Sequence, residues 1–203
     1  GEIGDALFGI APAEEGVITL NGKKIEIHSI QDAMQHKIGY VPEDRLTQGL
    51  FMNRSICQNT VAASIAKYLG KMGLNHNKKK EITNYWIKTI GCAAPSAEAT
   101  MRTLSGGNAQ KMVIAKWLNT EPSLLILNGP TVGVDVGSKA DIHAILHDLA
   151  KKGIGVIIIS DDLNELVHNC NKLIIMKNGR TSGVLETGDM SEAELTGLLN
   201  SGM

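Results

Sequence analysis

Two uninterrupted apolar runs in the second half of the chain constrain its fold more than any other feature. The runs occupy residues 124–127 and 154–159, and residues 138–149 between them repeat apolar side chains at helical spacing. A strand that is apolar on both faces is typical of a parallel sheet covered by helices, and a right-handed helical crossover joins two such strands. The pattern therefore predicts an α/β fold that contains a strand, helix and strand unit.

Composition excludes several other classes of protein. The 203 residues are 43% hydrophobic and 20% charged, as in an ordinary globular chain. Lys and Arg number 20 against 21 for Asp and Glu, so the charge balance predicts no nucleic-acid partner. No apolar run approaches the ~18 residues of a membrane-spanning helix. The 3 cysteines are widely spaced, so we expect neither a disulfide framework nor a zinc site.

Further elements are predicted around the strand, helix and strand unit. Alternating residues on both sides of Asn21 and Gly22 predict a β-hairpin within 16–27. The other predicted elements are helices at 2–8, 30–35, 55–91 with a break near 70–77, 162–169 and 191–199, strands at 37–41 and 173–176, and a polar loop at 42–49. Together they predict an antiparallel β piece, a helical insert and a parallel core completed by residues 122–203.

A serine followed by two glycines stands just before the amphipathic stretch 112–118. The segment reads Leu104-Ser105-Gly106-Gly107-Asn108-Ala109-Gln110. A serine at this place caps a helix, and glycines let an anion approach the backbone N–H groups of its first turn closely. The segment alone predicts either an anion-binding helix terminus or an ordinary N-cap with a flexible turn.

Four further motifs occur together with this segment. They are YVPEDR at 40–45, LLILNGPT at 124–131, VGVDVGSK at 132–139 and IIISDDL at 157–163. In this order the motifs resemble the nucleotide-binding domain of ABC transporters. Residues 40–45 and 132–139 are similar to the second cassette of the tandem ATPases of bacterial monosaccharide importers of the ribose, galactose or xylose type. The resemblance covers essentially the whole chain.

The resemblance implies a P-loop NTPase fold of the ABC ATPase class. It implies an antiparallel β piece, a helical subdomain at about 55–103 and a core of 1–54 and 104–203. It also implies that 1–203 is a partial domain that lacks the N-terminal P-loop strand, which the family places beside strands that include 124–127. We therefore expect an unpaired edge at strand 124–127.

Several positions depart from the family pattern. Asn128 and Gly129 stand where the family has the Asp that serves magnesium and the Glu that activates water, and Asp161 stands at the switch-histidine position. An amide does not balance Mg²⁺ as a carboxylate does, and glycine has no proton acceptor. We therefore assign no catalytic residue and no metal ligand, and expect that this chain alone does not hydrolyse ATP. Glu43 occupies the Q-loop position, as a metal or water contact or as a solvated loop carboxylate.

The family arrangement implies that the signature serves a second cassette. Two cassettes face each other head to tail there, so ATP and Mg²⁺ lie between the P-loop of one and the signature of the other. The residues expected to meet the ATP of the N-terminal or second ATPase cassette are Leu104, Ser105, Gly106, Gly107, Asn108 and Gln110, with Asp135 in the D-loop.

The resemblance also implies membrane permease partners. It predicts a peripheral ATP-binding subunit at the cytoplasmic face of the inner membrane, which couples ATP binding and hydrolysis to sugar uptake. Phe51 and Met52 border the groove in which the family docks a permease helix. They are either an exposed apolar anchor or core residues that close the preceding loop.

Three other interpretations stay open at this point. The chain is part of a competent ATPase whose P-loop lies upstream, a non-transport ABC ATPase that acts on ribosomes or DNA, or an inactive pseudogene-type fragment. The motifs at 40–45 and 132–139 favour the sugar importer over the non-transport ABC ATPase.

Overall fold

The chain folds into two compact units, Gly1–Ile159 and Ser160–Met203. The computed structural model describes residues 1–70, 73–188 and 190–201. The helices of the first unit are α1 (Glu2–Phe8), α2 (Ile30–Gln35), α3 (Ile56–Val61), α4 (His76–Thr89), α5 (Gly106–Leu118) and α6 (Val136–Lys151). Its strands are β1 (Ile18–Leu20), β2 (Lys23–Ile25), β3 (Ile38–Val41), β4 (Leu69–Gly70), β5 (Gly73–Leu74), β6 (Leu124–Asn128) and β7 (Gly155–Ile159). The second unit contains α7 (Leu163–Asn169), β8 (Lys172–Lys177), β9 (Arg180–Glu186) and α8 (Glu192–Ser201).

A parallel sheet with the strand order β3, β6, β7 lies at the centre of the first unit. Leu124 of β6 is paired with Ile38 on one side and with Gly155 on the other. Helices α1, α2 and α5 pack on β3, and α6 packs on β7. The predicted strand, helix and strand unit is confirmed, because β6, α6 and β7 follow each other and the two strands are parallel. No helix in the described ranges is long and apolar enough to cross a membrane.

The expected unpaired edge at strand 124–127 is wrong. Strand β6 is the central strand, and its residues 125–127 are 0% exposed. Among the residues that the structure describes, β7 pairs only with β6. Residues 156–159 of β7 are half-buried, whereas all four residues of β3 are buried. The accessible edge of the sheet is therefore β7.

Local turn chemistry explains the antiparallel piece and the end of α1. Strands β1 and β2 pair antiparallel around Asn21 and Gly22, whose φ angles are 52° and 73°. Such positive values at both central residues are typical of the tight turn that Asn-Gly forms, so the predicted hairpin is confirmed. Helix α1 ends at Gly9 with φ 76°, where a Cβ atom would overlap the backbone of Ser29. Only glycine fits this place.

A buried amide joins the helical segment before the signature to the end of α5. Asn119 accepts hydrogen bonds from the Tyr68 hydroxyl at 2.9 Å and from the Trp86 indole N–H at 3.2 Å. Its amide nitrogen donates to the Ser64 hydroxyl at 2.7 Å. Asn119 is 4% exposed, so these bonds satisfy polar groups that water does not reach. These hydrogen bonds hold the carboxyl end of α5 in place, and the signature lies at the amino end of the same helix.

Two predicted features differ from the structure. The predicted polar loop 42–49 contains a π-helical turn at Arg45–Gly49, because the Asp44 carboxylate caps it by accepting from the N–H groups of Leu46 and Thr47. The predicted strand at 173–176 does not extend the parallel sheet. It belongs to β8, which pairs antiparallel with β9 across the turn at Asn178. A separate helical subdomain at about 55–103 stays a prediction.

The accessible edge of β7 leads to a prediction about self-association of the chain. Unpaired backbone groups on a half-buried apolar strand favour association with a second strand. We expect the isolated chain to self-associate, and Val156→Lys to reduce this association, because the long lysine stem carries its charge to the edge. Light scattering over a concentration series measures it, with Ile174→Lys on β8 as the control. A monodisperse wild-type monomer with a cooperative melt above about 60 °C would contradict the prediction.

Candidate functional site

The signature segment begins helix α5 and is held in place by a small polar network. The Ser105 hydroxyl accepts a hydrogen bond from the Asn108 backbone N–H at 3.4 Å and another from the Asn108 amide nitrogen at 2.9 Å. The Asn108 side-chain oxygen in turn accepts from the Ala93 N–H at 2.8 Å. Ser105 and Gly106 are exposed at the start of a helix of 13 residues. The first N–H groups of such a helix have no partner within it, so this end favours an anion.

Close packing explains why two glycines follow the serine. A Cβ atom on Gly107 would overlap the side chain of Ser138, and one on Gly106 would lie 3.0 Å from Arg45 Nη2 and 3.2 Å from the Gly133 oxygen. The glycines therefore allow α5 to approach two other loops. The sequence predicted them from backbone access alone, and the structure adds this packing.

The predicted signature residues divide into an exposed group and a buried group. Leu104 and Asn108 are half-buried, and Gly107 is buried. Gln110 is 1% exposed, and its amide oxygen and nitrogen have no hydrogen-bond partner in the described part of the chain. A side chain at this depth is not available to a nucleotide on the protein surface. The accessible part of the segment consists of Ser105 and Gly106.

The D-loop residue Asp135 lies beside the signature. It is the N-cap of α6, and its carboxylate accepts a hydrogen bond from the Ser138 N–H at 3.0 Å. Hydrogen bonds from Ser138 hold the pKa of Asp135 below its usual value. Because Ser138 also contacts Gly107, the predicted signature and D-loop are brought together.

A second cluster lies at the carboxyl ends of β3 and β6. The Tyr40 hydroxyl donates a hydrogen bond to Asp5 Oδ1 at 2.7 Å, and the neighbouring Asn128 side chain lowers the pKa of this hydroxyl. Asn128 is 8% exposed. The cluster opens into a cleft of about 490 Å³, and Glu43 is exposed at its side. The residues that line the cleft are Gly1, Asp5, Tyr40, Glu43, Asp44, Arg45, Leu46, Gln48, Asn128, Val132 and Gly133.

The donor set at the end of β6 does not fit a magnesium site. Asn128 offers a neutral amide beside Tyr40, and Gly129 offers no side chain. Gly129 has φ 57°, and a Cβ atom there would lie 2.9 Å from Val132 Cγ2 and 3.2 Å from Glu43 Cγ. A larger residue is therefore strained at this position. The described residues contain no group of three His, Cys, Asp or Glu that is able to hold a metal ion.

Asp161 belongs to the second unit and is exposed just before α7. The roles predicted for Asp161, Glu43 and the signature residues stay predictions. The sequence predicted no role for Arg45, Ser138 or Asp5, although Arg45 and Ser138 contact the predicted signature glycines and Asp5 bonds to Tyr40. Arg45 lies inside the YVPEDR motif, and this motif is the sequence signal from which a role for Arg45 could have been predicted.

Comparison with known sequences finds relatives among sugar import ATP-binding proteins. The ribose import ATP-binding protein RbsA 3 of Rubrobacter xylanophilus is 38% identical over 197 residues, which are 97% of this chain and 39% of that protein. The galactose/methyl galactoside import ATP-binding protein MglA of Escherichia coli O6:K15:H31 is 37% identical over 195 residues, which are 96% of this chain and 38% of that protein. The chain thus spans about two fifths of the length of these relatives.

The comparison with solved structures identifies the fold class of the chain, and the comparison of sequences identifies its family. The structure of cbiO1 from Clostridium perfringens, part of the ABC transporter complex cbiONQ, matches with a TM-score of 0.75 at 24% identity. The match covers 100% of this chain and 78% of that one. The fold is therefore the P-loop NTPase fold of ABC ATPase cassettes, as predicted. The family profile described as ABC transporter matches residues 3–132, and the chain belongs to this family.

The hydroxyl of Tyr40 leads to a prediction about the pH at which this side chain ionises. Burial first, and then the hydrogen bond to Asp5, raise the pKa of Tyr40 from 10.0 to about 12. A raised pKa favours the neutral phenol, so the stabilisation is present below pH 10 and is lost as the pH rises through about 12. We expect the phenolate absorbance that is lost in Tyr40→Phe to have its midpoint near pH 12 in the wild type.

Asp5→Asn should lower that midpoint, because the variant lacks the negative charge beside the phenol. Asp148→Asn, which removes an exposed carboxylate of α6, is the matched control. An unchanged midpoint in Asp5→Asn would show that Asp5 does not hold the proton on Tyr40.

Proposed function

We propose that the chain is part of the ATP-binding subunit of a bacterial ABC-type sugar importer. The family match and the import ATP-binding proteins of ribose and galactose type support this assignment. In this proposal the subunit is peripheral to the cytoplasmic face of the inner membrane, binds permease subunits and couples ATP binding and hydrolysis to sugar uptake.

The signature is proposed to serve the ATP and Mg²⁺ of a second cassette. One observation carries this proposal: Ser105 and Gly106 are exposed at the start of α5, and Gly106 lies against the loop that ends in Asp135. The hydroxyl of Ser105 and the N–H groups of the first turn are suited to bind a terminal phosphate of the partner's nucleotide. Gln110 is not included, because it is buried.

The chain's own nucleotide site is proposed to be degenerate. Asn128 carries no charge to balance magnesium, and Gly129 offers no base to activate water. The carboxylates of Asp5, Glu43 and Asp44 line the same cleft, and their negative charge opposes the approach of a triphosphate. ATP and Mg²⁺ are then held mainly by the partner cassette, and this chain contributes the signature and Asp135.

Blocking the signature tests this function. Ser105→Trp places a large ring over the start of α5, so we expect the ATPase kcat of the assembled transporter to fall about 100-fold, as when one transition-state donor is lost. Ser191→Trp, at an exposed serine that caps α8, is the matched control and should leave kcat unchanged. Unchanged turnover of Ser105→Trp at saturating ATP would refute the assignment.

Phe51 is proposed to anchor the permease. It is 64% exposed, while Met52 beside it is half-buried, so of the two predicted anchors only Phe51 is fully presented. The buried amide of Asn59 fixes the backbone of Phe51: it accepts from the N–H at 2.7 Å and donates to the carbonyl at 3.0 Å. A rigid exposed aromatic residue is typical of a binding anchor.

Removal of this anchor gives a second test of the proposed function. Phe51→Ala should weaken permease binding by about 2 kcal/mol, or roughly 30-fold in Kd, because buried aromatic anchors carry much of the binding energy at interfaces. Pull-down with titrated permease measures it. Tyr85→Ala removes a comparably exposed ring from α4 and should leave Kd unchanged. The docking assignment is wrong if Phe51→Ala binds as tightly as wild type while the fold stays intact.

A further inference from the structure

Arg45 connects three segments that are far apart in the sequence. It is the first residue of the turn Arg45–Gly49, directly after Glu43 and Asp44. Its Nη1 donates a hydrogen bond to the Val132 carbonyl at 2.7 Å, and its Nη2 donates to the Gly133 carbonyl at 3.0 Å. The guanidinium group thus binds two successive carbonyl groups of the loop that leads from β6 to α6.

The same guanidinium group lies against the start of α5. A Cβ atom on Gly106 would be 3.0 Å from Arg45 Nη2, and the Gly133 oxygen lies 3.2 Å from the same point. The contact between Gly107, the next residue of α5, and Ser138 in the first turn of α6 brings the two segments together again. The Q-loop segment, the D-loop and the signature therefore meet at the side chain of Arg45.

The loop bound by Arg45 has backbone hydrogen bonds from Val132 and Val134, and it contains two glycines with left-handed backbone angles. Gly129 and Gly133 have φ angles of 57° and 66°, and glycine enters and leaves this region without a steric penalty. Arg45 restrains the loop from outside, because a planar guanidinium fork donates two hydrogen bonds in a fixed relative direction. A lysine ammonium supplies the charge but not the fork. Arg45 Nε is buried without a partner in the described part of the chain, so the two terminal nitrogens carry the hydrogen bonding of this group.

We propose that Arg45 is the positioning residue of the signature surface. It holds the loop 129–135 and the first residue of α5 in one arrangement, and it links both to the segment that begins at Glu43. This role rests on the proposed function, since the arrangement matters for catalysis only if Ser105 and Gly106 meet a partner's nucleotide. Arg45 acts through these groups and does not touch the nucleotide itself.

Amide hydrogen exchange on the full 203-residue chain tests the positioning directly. The reporters are the N–H groups of Val132 and Val134 in the loop, which bond to the Gly129 and Thr131 carbonyls, and the N–H group of Ala109 in the first turn of α5, which bonds to the Ser105 carbonyl. In Arg45→Lys we expect these three amides to exchange about tenfold faster, the loss expected from a missing charge-assisted hydrogen bond. Arg45→Gln should behave alike. Amides of β6 in the same sample report an intact fold, and Arg180→Gln at an exposed arginine is the control.

The assembled transporter gives the functional readout. Arg45→Lys should lower kcat about tenfold and leave the KM for ATP unchanged, because ATP is held by the partner cassette while the signature acts after binding. Wild-type exchange rates in Arg45→Lys would overturn the proposal, as would faster exchange with wild-type kcat when Ser105→Trp does lower kcat. If exchange rises and Ser105→Trp has full activity, the positioning by Arg45 stands and the function proposed for the signature fails, so the two failures are distinguishable.

Discussion

The central position of β6 is the constraint on which the rest of the structure depends. Its parallel register with β3 places Val41 opposite Leu127, so both strands end at the same edge of the sheet. The segment with Glu43 and the loop that begins at Asn128 therefore leave the sheet side by side. Helix α5 packs on β3 and presents the signature next to both. The three functional segments therefore meet at the carboxyl end of β6, the strand that has neighbouring strands at both edges and is buried at both faces.

Residues without side chains define how closely these segments approach. Gly107 lies where any Cβ atom would overlap Ser138, and Gly133 adopts a backbone angle that other residues rarely adopt. Polar side chains then restrain the backbone that these glycines leave flexible. Asp135 caps α6, Ser105 caps α5, and Arg45 bonds to the loop between β6 and α6. A flexible backbone and external side-chain restraints together give one arrangement, which neither would give alone.

Local patterns predicted the elements well, and contacts between distant segments less well. The Asn21-Gly22 turn, the cap at Ser105 and the alternation of β6, α6 and β7 are encoded within a few residues, and the structure has them. The family resemblance predicts an unpaired edge at strand 124–127, but an apolar run shows that a strand is covered and not which strands are its neighbours, and the structure has the edge at β7. Likewise the burial of Gln110 and the bonds of Arg45 arise from partners that are far away in sequence.

The polar cluster around Tyr40 shows why an amide suits the end of β6. The single proton of the Tyr40 hydroxyl is donated to Asp5, so this hydroxyl has only lone pairs left for Asn128. The Asn128 amide is able to donate to them, which agrees with its lowering of the pKa of Tyr40 against the opposing effects of burial and Asp5. An ionised carboxylate at the same place is an acceptor only and would face both the phenol oxygen and the charge of Asp5. A neutral residue at position 128 therefore suits its place beside the hydrogen-bonded pair of Tyr40 and Asp5, and a carboxylate there requires a different proton or a cation beside it.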